Sequence, residues 1–125
     1  MKFLYLILGG SLGTILRYSI YLLYSKRALS GFPYGSLTVN LIGSLLIGLT
    51  YGLLSKSGIS SPLRLFLFVG FFGSFTTFST FSMDNIQLIQ EGNIRAAIIY
   101  FLSSNILGIG LCAIGLITGQ YLINK

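Results

Sequence analysis

Histidine and tryptophan are absent, cysteine occurs once, and only Asp84 and Glu91 bear side-chain carboxylates. A lone Cys112 closes no disulfide within the chain. Without histidine there is neither a His/Cys metal cluster nor a Cys/His nucleophile pair. Cys112 reads instead as a small buried apolar residue. Charge is equally scarce: 8% of the 125 residues are charged and 54% are hydrophobic, with a mean hydropathy of +0.86. A soluble domain carries about 25% charged residues. This chain cannot dress a water-facing surface, which sets aside soluble enzymes and nucleic-acid binders. The basic excess, +6 in net charge, does not restore them. Seven of the eight basic residues end apolar runs, where they meet lipid headgroups.

What is present is apolar sequence in four runs. Spans are expected over about 3–24, 34–54, 63–89 and 94–123, punctuated by Ser25-Lys26-Arg27, Ser55-Lys56-Ser57-Gly58 and Glu91-Gly92-Asn93. Ser61 is a candidate cap for the third span, and Pro62 suits its first turn. Met1-Lys2 and Phe3–Leu8 look like the start of a signal peptide. Gly9-Gly10 and Arg17 interrupt that pattern and no small-x-small cleavage site follows, so the segment is expected to remain as the first span. No connection is long enough to hold a soluble domain. The expected architecture is an all-α integral membrane protein, multi-pass in the cell membrane, with one membrane domain over 1–125.

Orientation is nearly unbiased. Four spans put Lys2, Lys56, Arg64 and Lys125 on one side and Lys26, Arg27 and Arg95 on the other. Two readings follow: a weakly oriented chain, or one that inserts both ways and pairs antiparallel with itself. The small-xxx-small pairs Gly9/Gly13, Gly48/Gly52 and Gly115/Gly119 allow close helix approach in lipid. Four such helices enclose little space, so an ion path is expected at an interface between subunits.

The third span concentrates the polar chemistry. Seven phenylalanines lie between Phe66 and Phe81, and Phe75, Phe78 and Phe81 recur every third residue. Among them stand Thr76, Thr77, Ser79, Thr80 and Ser82, five hydroxyls in seven residues at the middle of a membrane span. Back-bonding to i−4 carbonyls accommodates one or two such hydroxyls. Five, beside Gly70 and Gly73, predict a break in the helix that lines a polar site. Hydroxyls, an amide and partially positive ring edges suit a small anion, whereas the carbonyls of a broken helix suit a small cation. Asn40 in the second span offers the amide, or serves only to hold helices together. Arg17 lies deep in the first span: it snorkels to the interface or faces a wet vestibule that attracts anions. Ser103, Ser104 and Asn105 in the fourth span extend a hydrogen-bonding track or join helices.

Three stretches together resemble the Fluc (CrcB) family of fluoride channels. They are Gly9-Gly10-Ser11-Leu12-Gly13-Thr14-Ile15-Leu16-Arg17-Tyr18, Gly35-Ser36-Leu37-Thr38-Val39-Asn40-Leu41-Ile42-Gly43, and the long Gly70–Ser82 segment Gly-Phe-Phe-Gly-Ser-Phe-Thr-Thr-Phe-Ser-Thr-Phe-Ser. The resemblance covers essentially the whole chain. It implies an antiparallel dual-topology homodimer in the lipid membrane, with two pores that passively and selectively export fluoride. It implies that Phe78 and Phe81 are the pore phenylalanines, that Asn40 is the nearby amide donor, and that Ser79, Thr80 and Thr38 line the path. Tyr100 and Ser104 match a fourth-span polar track, and Arg17 a vestibule. The carbonyls of Gly73 and Thr76 from both subunits would hold a central structural sodium ion. Asp84 departs from the pattern, standing where a glutamate is expected. Two other classes compete: a small four-span dual-topology multidrug or cation exporter, which needs a deep carboxylate, and a structural helper subunit. No nucleic-acid partner and no enzymatic reaction are expected.

Overall fold

Among the residues described by the computed structural model, 1–25, 31–56 and 58–125, the regular structure is helical. Four helices are long and apolar enough to cross a membrane: Lys2–Tyr24, Tyr34–Leu53, Ser61–Gln90 and Ile94–Leu122. At 1.5 Å per residue even the second, with 20 residues, covers about 30 Å of hydrocarbon. Lys26, Arg27 and Ser57, assigned above to the span ends, lie outside the described residues.

Local chemistry sets the described ends. Ser60, not Ser61, occupies the cap position of the third span; it makes no side-chain cap bond, and Pro62 stands in the first turn. Pro62 has no N–H to satisfy there, which removes part of the need for a side-chain cap. The third and fourth spans are joined by Glu91-Gly92-Asn93. Gly92 takes φ 76°, a left-handed conformation that glycine adopts without a Cβ clash. Asn93 then caps the fourth span, its side-chain oxygen accepting from the Ala96 N–H at 3.3 Å.

The helices pack in pairs through glycine. A methyl group added at Gly9 would strike the Phe66 carbonyl, and one at Gly13 the Phe71 carbonyl and Ser74 Oγ, so the first span lies backbone-close against the third. On the second span, Gly48 faces the Cys112 carbonyl and Gly52 the Leu116 carbonyl. From the fourth, Gly115 and Gly119 face the Leu45 and Leu49 carbonyls in return. The glycine pairs legible in the sequence thus interlock spans within one chain. Dispersion and close backbone contact drive such association in lipid, where tail and side chain are equally apolar. Outward positions such as Ile7, Ile15, Ile109 and Ile117 are exposed and apolar, as a lipid-facing surface requires.

The third span departs from regular winding twice. Leu65–Phe72 is wound as π-helix, and the following α-turn Gly73–Phe75 ends at two extended residues: Thr76 at φ −82°, ψ 158° and Thr77 at φ −148°, ψ 117°. Helix resumes over Phe78–Gln90. The fourth span carries its own π-wound segment, Ser103–Leu107. Such segments are rare and cluster at functional sites.

The interlock predicts an asymmetry between two glycines of the fourth span. Gly115→Ala should destabilise the detergent-solubilised protein by about 1–3 kcal/mol. Gly110→Ala, where a Cβ meets nothing within 4 Å, should be neutral or stabilising. Thermal unfolding of both variants beside the parent protein checks this.

Candidate functional site

Extended backbone at Thr76 and Thr77 removes helical partners in the middle of the span, where an unpaired peptide group costs several kcal/mol. Asn40 supplies what the helix does not. Its Nδ2 donates to the Thr77 carbonyl at 3.0 Å, and its Oδ1 accepts from the Thr77 N–H at 2.8 Å. The side-chain amide therefore pairs with one residue's peptide groups as a neighbouring strand would. Thr77 is buried, so both bonds are made away from water.

The five clustered hydroxyls divide into two kinds. Thr76 and Ser82 bond back to the i−4 carbonyls, Thr76 Oγ1 donating to Phe72 O at 2.9 Å and Ser82 Oγ to Phe78 O at 3.0 Å. Thr77, Ser79 and Thr80 bond with one another. Thr77 Oγ1 accepts from the Thr80 N–H at 3.2 Å, which caps the renewed helix, and donates to Thr80 Oγ1 at 3.0 Å. Ser79 Oγ lies 3.3 Å from the same oxygen.

Around this junction is a cavity of about 260 Å³. The second span contributes Asn40, Gly43, Ser44 and Ile47; the third, Thr76, Thr77, Phe78 and Phe81; the fourth, Ser104 and Asn105. No charged side chain is among these lining residues. Gly43 must lack a side chain, because a Cβ there would collide with Thr76 Cγ2. Phe78 and Phe81 meet at 5.6 Å between ring centroids, yet differ in setting: Phe78 is 78% exposed and Phe81 8%. Phe81 packs against the fully buried Tyr100 at 5.3 Å. Ser104 Oγ is buried with no hydrogen-bond partner among the described residues, an open donor at the cavity wall.

Other residues singled out from the sequence are placed elsewhere. Thr38 Oγ1 donates to the Tyr24 hydroxyl at 3.1 Å, tying the second span to the first. Thr80 lines a separate recess of about 290 Å³ with Tyr21, Ser36 and Asp84. Tyr100, behind Phe81, donates its hydroxyl to Asp84 Oδ2 at 3.1 Å. Arg17, half-buried on the first span, and Gly73, in the turn before the extended pair, are not among the cavity-lining residues. Of the fourth-span patch Ser103-Ser104-Asn105, Ser104 and Asn105 line the cavity, whereas Ser44 was not assigned to the site from sequence. Ser44 follows Asn40 by one helical turn, and that i, i+4 spacing was the available signal.

The fold and the site together define a small four-span membrane protein whose uncharged, hydroxyl- and amide-lined cavity sits beside two extended residues of the third span. The chain belongs to the CrcB-like protein family (Camphor Resistance, CrcB), whose profile matches residues 4–116. Relatives named fluoride-specific ion channel FluC are similar over nearly their full length. The one from Parabacteroides distasonis is 40% identical over 98% of this chain and 96% of its own. That from a Thermus thermophilus strain is 41% identical over 98% of each, and that from Flavobacterium psychrophilum 44% over 94% and 96%.

Replacing Asn40 by alanine should leave the buried Thr77 N–H and carbonyl without partners, at about 1–3 kcal/mol for each group. The expected outcome is a lower unfolding temperature and faster hydrogen exchange at the Thr77 amide. Thr38→Val, which removes only one half-buried bond to Tyr24, should cost about 1 kcal/mol.

Proposed function

We propose that the chain is a fluoride-specific ion channel that passively exports fluoride across the cell membrane. The observation that carries this reading is the uncharged cavity where the Asn40 amide, the Ser104 hydroxyl and the Phe78 and Phe81 rings converge. A small hard anion gives up much of its hydration to enter such a space. Fixed N–H and O–H donors and partially positive ring edges replace that water, and a narrow track of them selects by size. The names borne by the relatives support fluoride as the ion. A coupled exporter would need a carboxylate on the path. Asp84 instead lines a different recess and accepts the Tyr100 hydroxyl, which favours the channel.

The proposed assembly is an antiparallel dual-topology homodimer with two pores. Its support is the bareness of Phe78, a large ring 78% exposed beside a polar cavity, which a second copy would cover. In this reading Thr38, Ser79, Thr80 and Tyr100 contribute polar lining further along, and Arg17 draws anions into a vestibule. The extended pair Thr76-Thr77 is the break in the third helix, and the carbonyls of Gly73 and Thr76 hold a structural sodium ion between the subunits. Their usual helical donors are engaged elsewhere: the Thr77 N–H bonds Asn40 Oδ1 and the Thr80 N–H bonds Thr77 Oγ1. Two carbonyls from each chain form a fitting set for one hard monovalent cation, whose charge would offset part of the cost of an anion nearby.

Purified protein in liposomes, followed with fluoride and chloride electrodes in parallel, tests the proposal. Fluoride should leave rapidly while chloride stays. Phe78→Ile should slow fluoride efflux by about two- to tenfold, the value of a ring-edge contact. Fluoride retention by folded, dimeric protein would overturn the reading.

A further inference from the structure

Polar atoms around the cavity differ in whether they have a proton left to give. Thr76 Oγ1 donates to Phe72 O, Thr77 Oγ1 to Thr80 Oγ1, and Asn105 Nδ2 spends one N–H on Phe101 O. Asn40 spends one of its two N–H groups on Thr77 O. The threonines that dominate the sequence motif are thus committed to holding the backbone. Uncommitted hydroxyl donors among the described cavity residues are Ser104, whose buried Oγ has no partner, and Ser44, for which the described residues provide no hydrogen bond.

Ser44 lies one helical turn beyond Asn40 on the same cavity-facing side of the second span, about 6 Å along its axis. Across from it the fourth span carries Gly108, four residues past Ser104. A Cβ at Gly108 would stand 3.6 Å from Ser44 Oγ, an ordinary van der Waals distance, so the fourth span runs beside the hydroxyl without crowding it. Three residues further along the second span the wall becomes apolar at Ile47. Ser44 is therefore the last polar group of the second span in this cavity.

We propose that Ser44 is a fluoride-coordinating residue, the station that takes the anion after Asn40 and Ser104. This rests on the channel reading above and names a donor within it. With no carboxylate on the cavity wall, the uncommitted O–H and N–H groups there offer their protons to an anion. Ile47 ends the run of donors.

The test compares fluoride efflux and its half-saturating fluoride concentration for the parent protein, Ser44→Ala, Ser44→Thr and Ser44→Cys in liposomes. Ser44→Ala should slow efflux about three- to tenfold and raise the half-saturating concentration by a similar factor, the effect of one lost hydrogen bond. Ser44→Thr keeps the hydroxyl and should stay within about twofold of the parent protein. Unfolding temperatures should match for both. Parent-like flux and half-saturation in Ser44→Ala would overturn the role. Equal losses in the alanine and threonine variants would also overturn it, because packing rather than the hydroxyl would then matter. If Ser44→Ala does not fold, Ser44→Cys decides: its thiol fills similar space but is a much weaker hydrogen-bond donor, so slowed efflux supports the role and parent-like efflux overturns it. Parent protein that passes no fluoride overturns the channel reading itself, whereas conduction indifferent to these variants overturns only the role of Ser44.

Discussion

The two hydrogen bonds between the Asn40 amide and the Thr77 peptide groups are the constraint on which the rest of the site depends. A transmembrane helix satisfies its own backbone, and leaving that arrangement in mid-span is tolerable only where other groups take over. Asn40 takes over from the neighbouring span. Once it does, Thr77 can turn its hydroxyl into the cap of the renewed helix, and Phe78 and Phe81 emerge from a fixed starting point. The same exchange deprives the Gly73 and Thr76 carbonyls of their usual donors. In the proposed channel, one side chain would thereby prepare both an anion-facing wall and a cation-facing one.

That bridge needs the second and third spans at a fixed separation, and glycine sets it. Gly43 admits Thr76 against the second span, while Gly48, Gly52, Gly115 and Gly119 bring the second and fourth spans to backbone contact. The fourth span then delivers Ser104 to the cavity through a π-wound segment, which shifts the face its side chains occupy. Close packing in pairs leaves most long apolar side chains outside, as a membrane protein permits and a soluble one does not.

Much of this was legible in the sequence because it depends on composition and short-range pattern. Apolar runs of about 20 residues or more required spanning helices, and the paired glycines announced close backbone approach. The crowding of hydroxyls after Gly73 pointed to an exceptional backbone there. What the sequence could not express is pairing across elements. Nothing near Asn40 indicates that both ends of its amide are spent on Thr77, nor near Thr38 that its partner is Tyr24. Thr80 fell in the same motif as Thr76, yet the renewed helix turns it toward a recess with Asp84. Ser44 was overlooked for the opposite reason: one hydroxyl in an apolar stretch carries little signal until its place beside Asn40 on the cavity wall is seen.

The most direct test of this account follows the two side-chain amide protons of Asn40 by NMR while fluoride is titrated into the labelled, membrane-reconstituted protein. One proton is held by the Thr77 carbonyl and the other is free to meet an anion in the cavity. The account predicts that fluoride shifts the free proton strongly and leaves the Thr77-bound proton nearly still, and that chloride moves neither. Two unmoved protons under saturating fluoride, or equal responses to both anions, would contradict it.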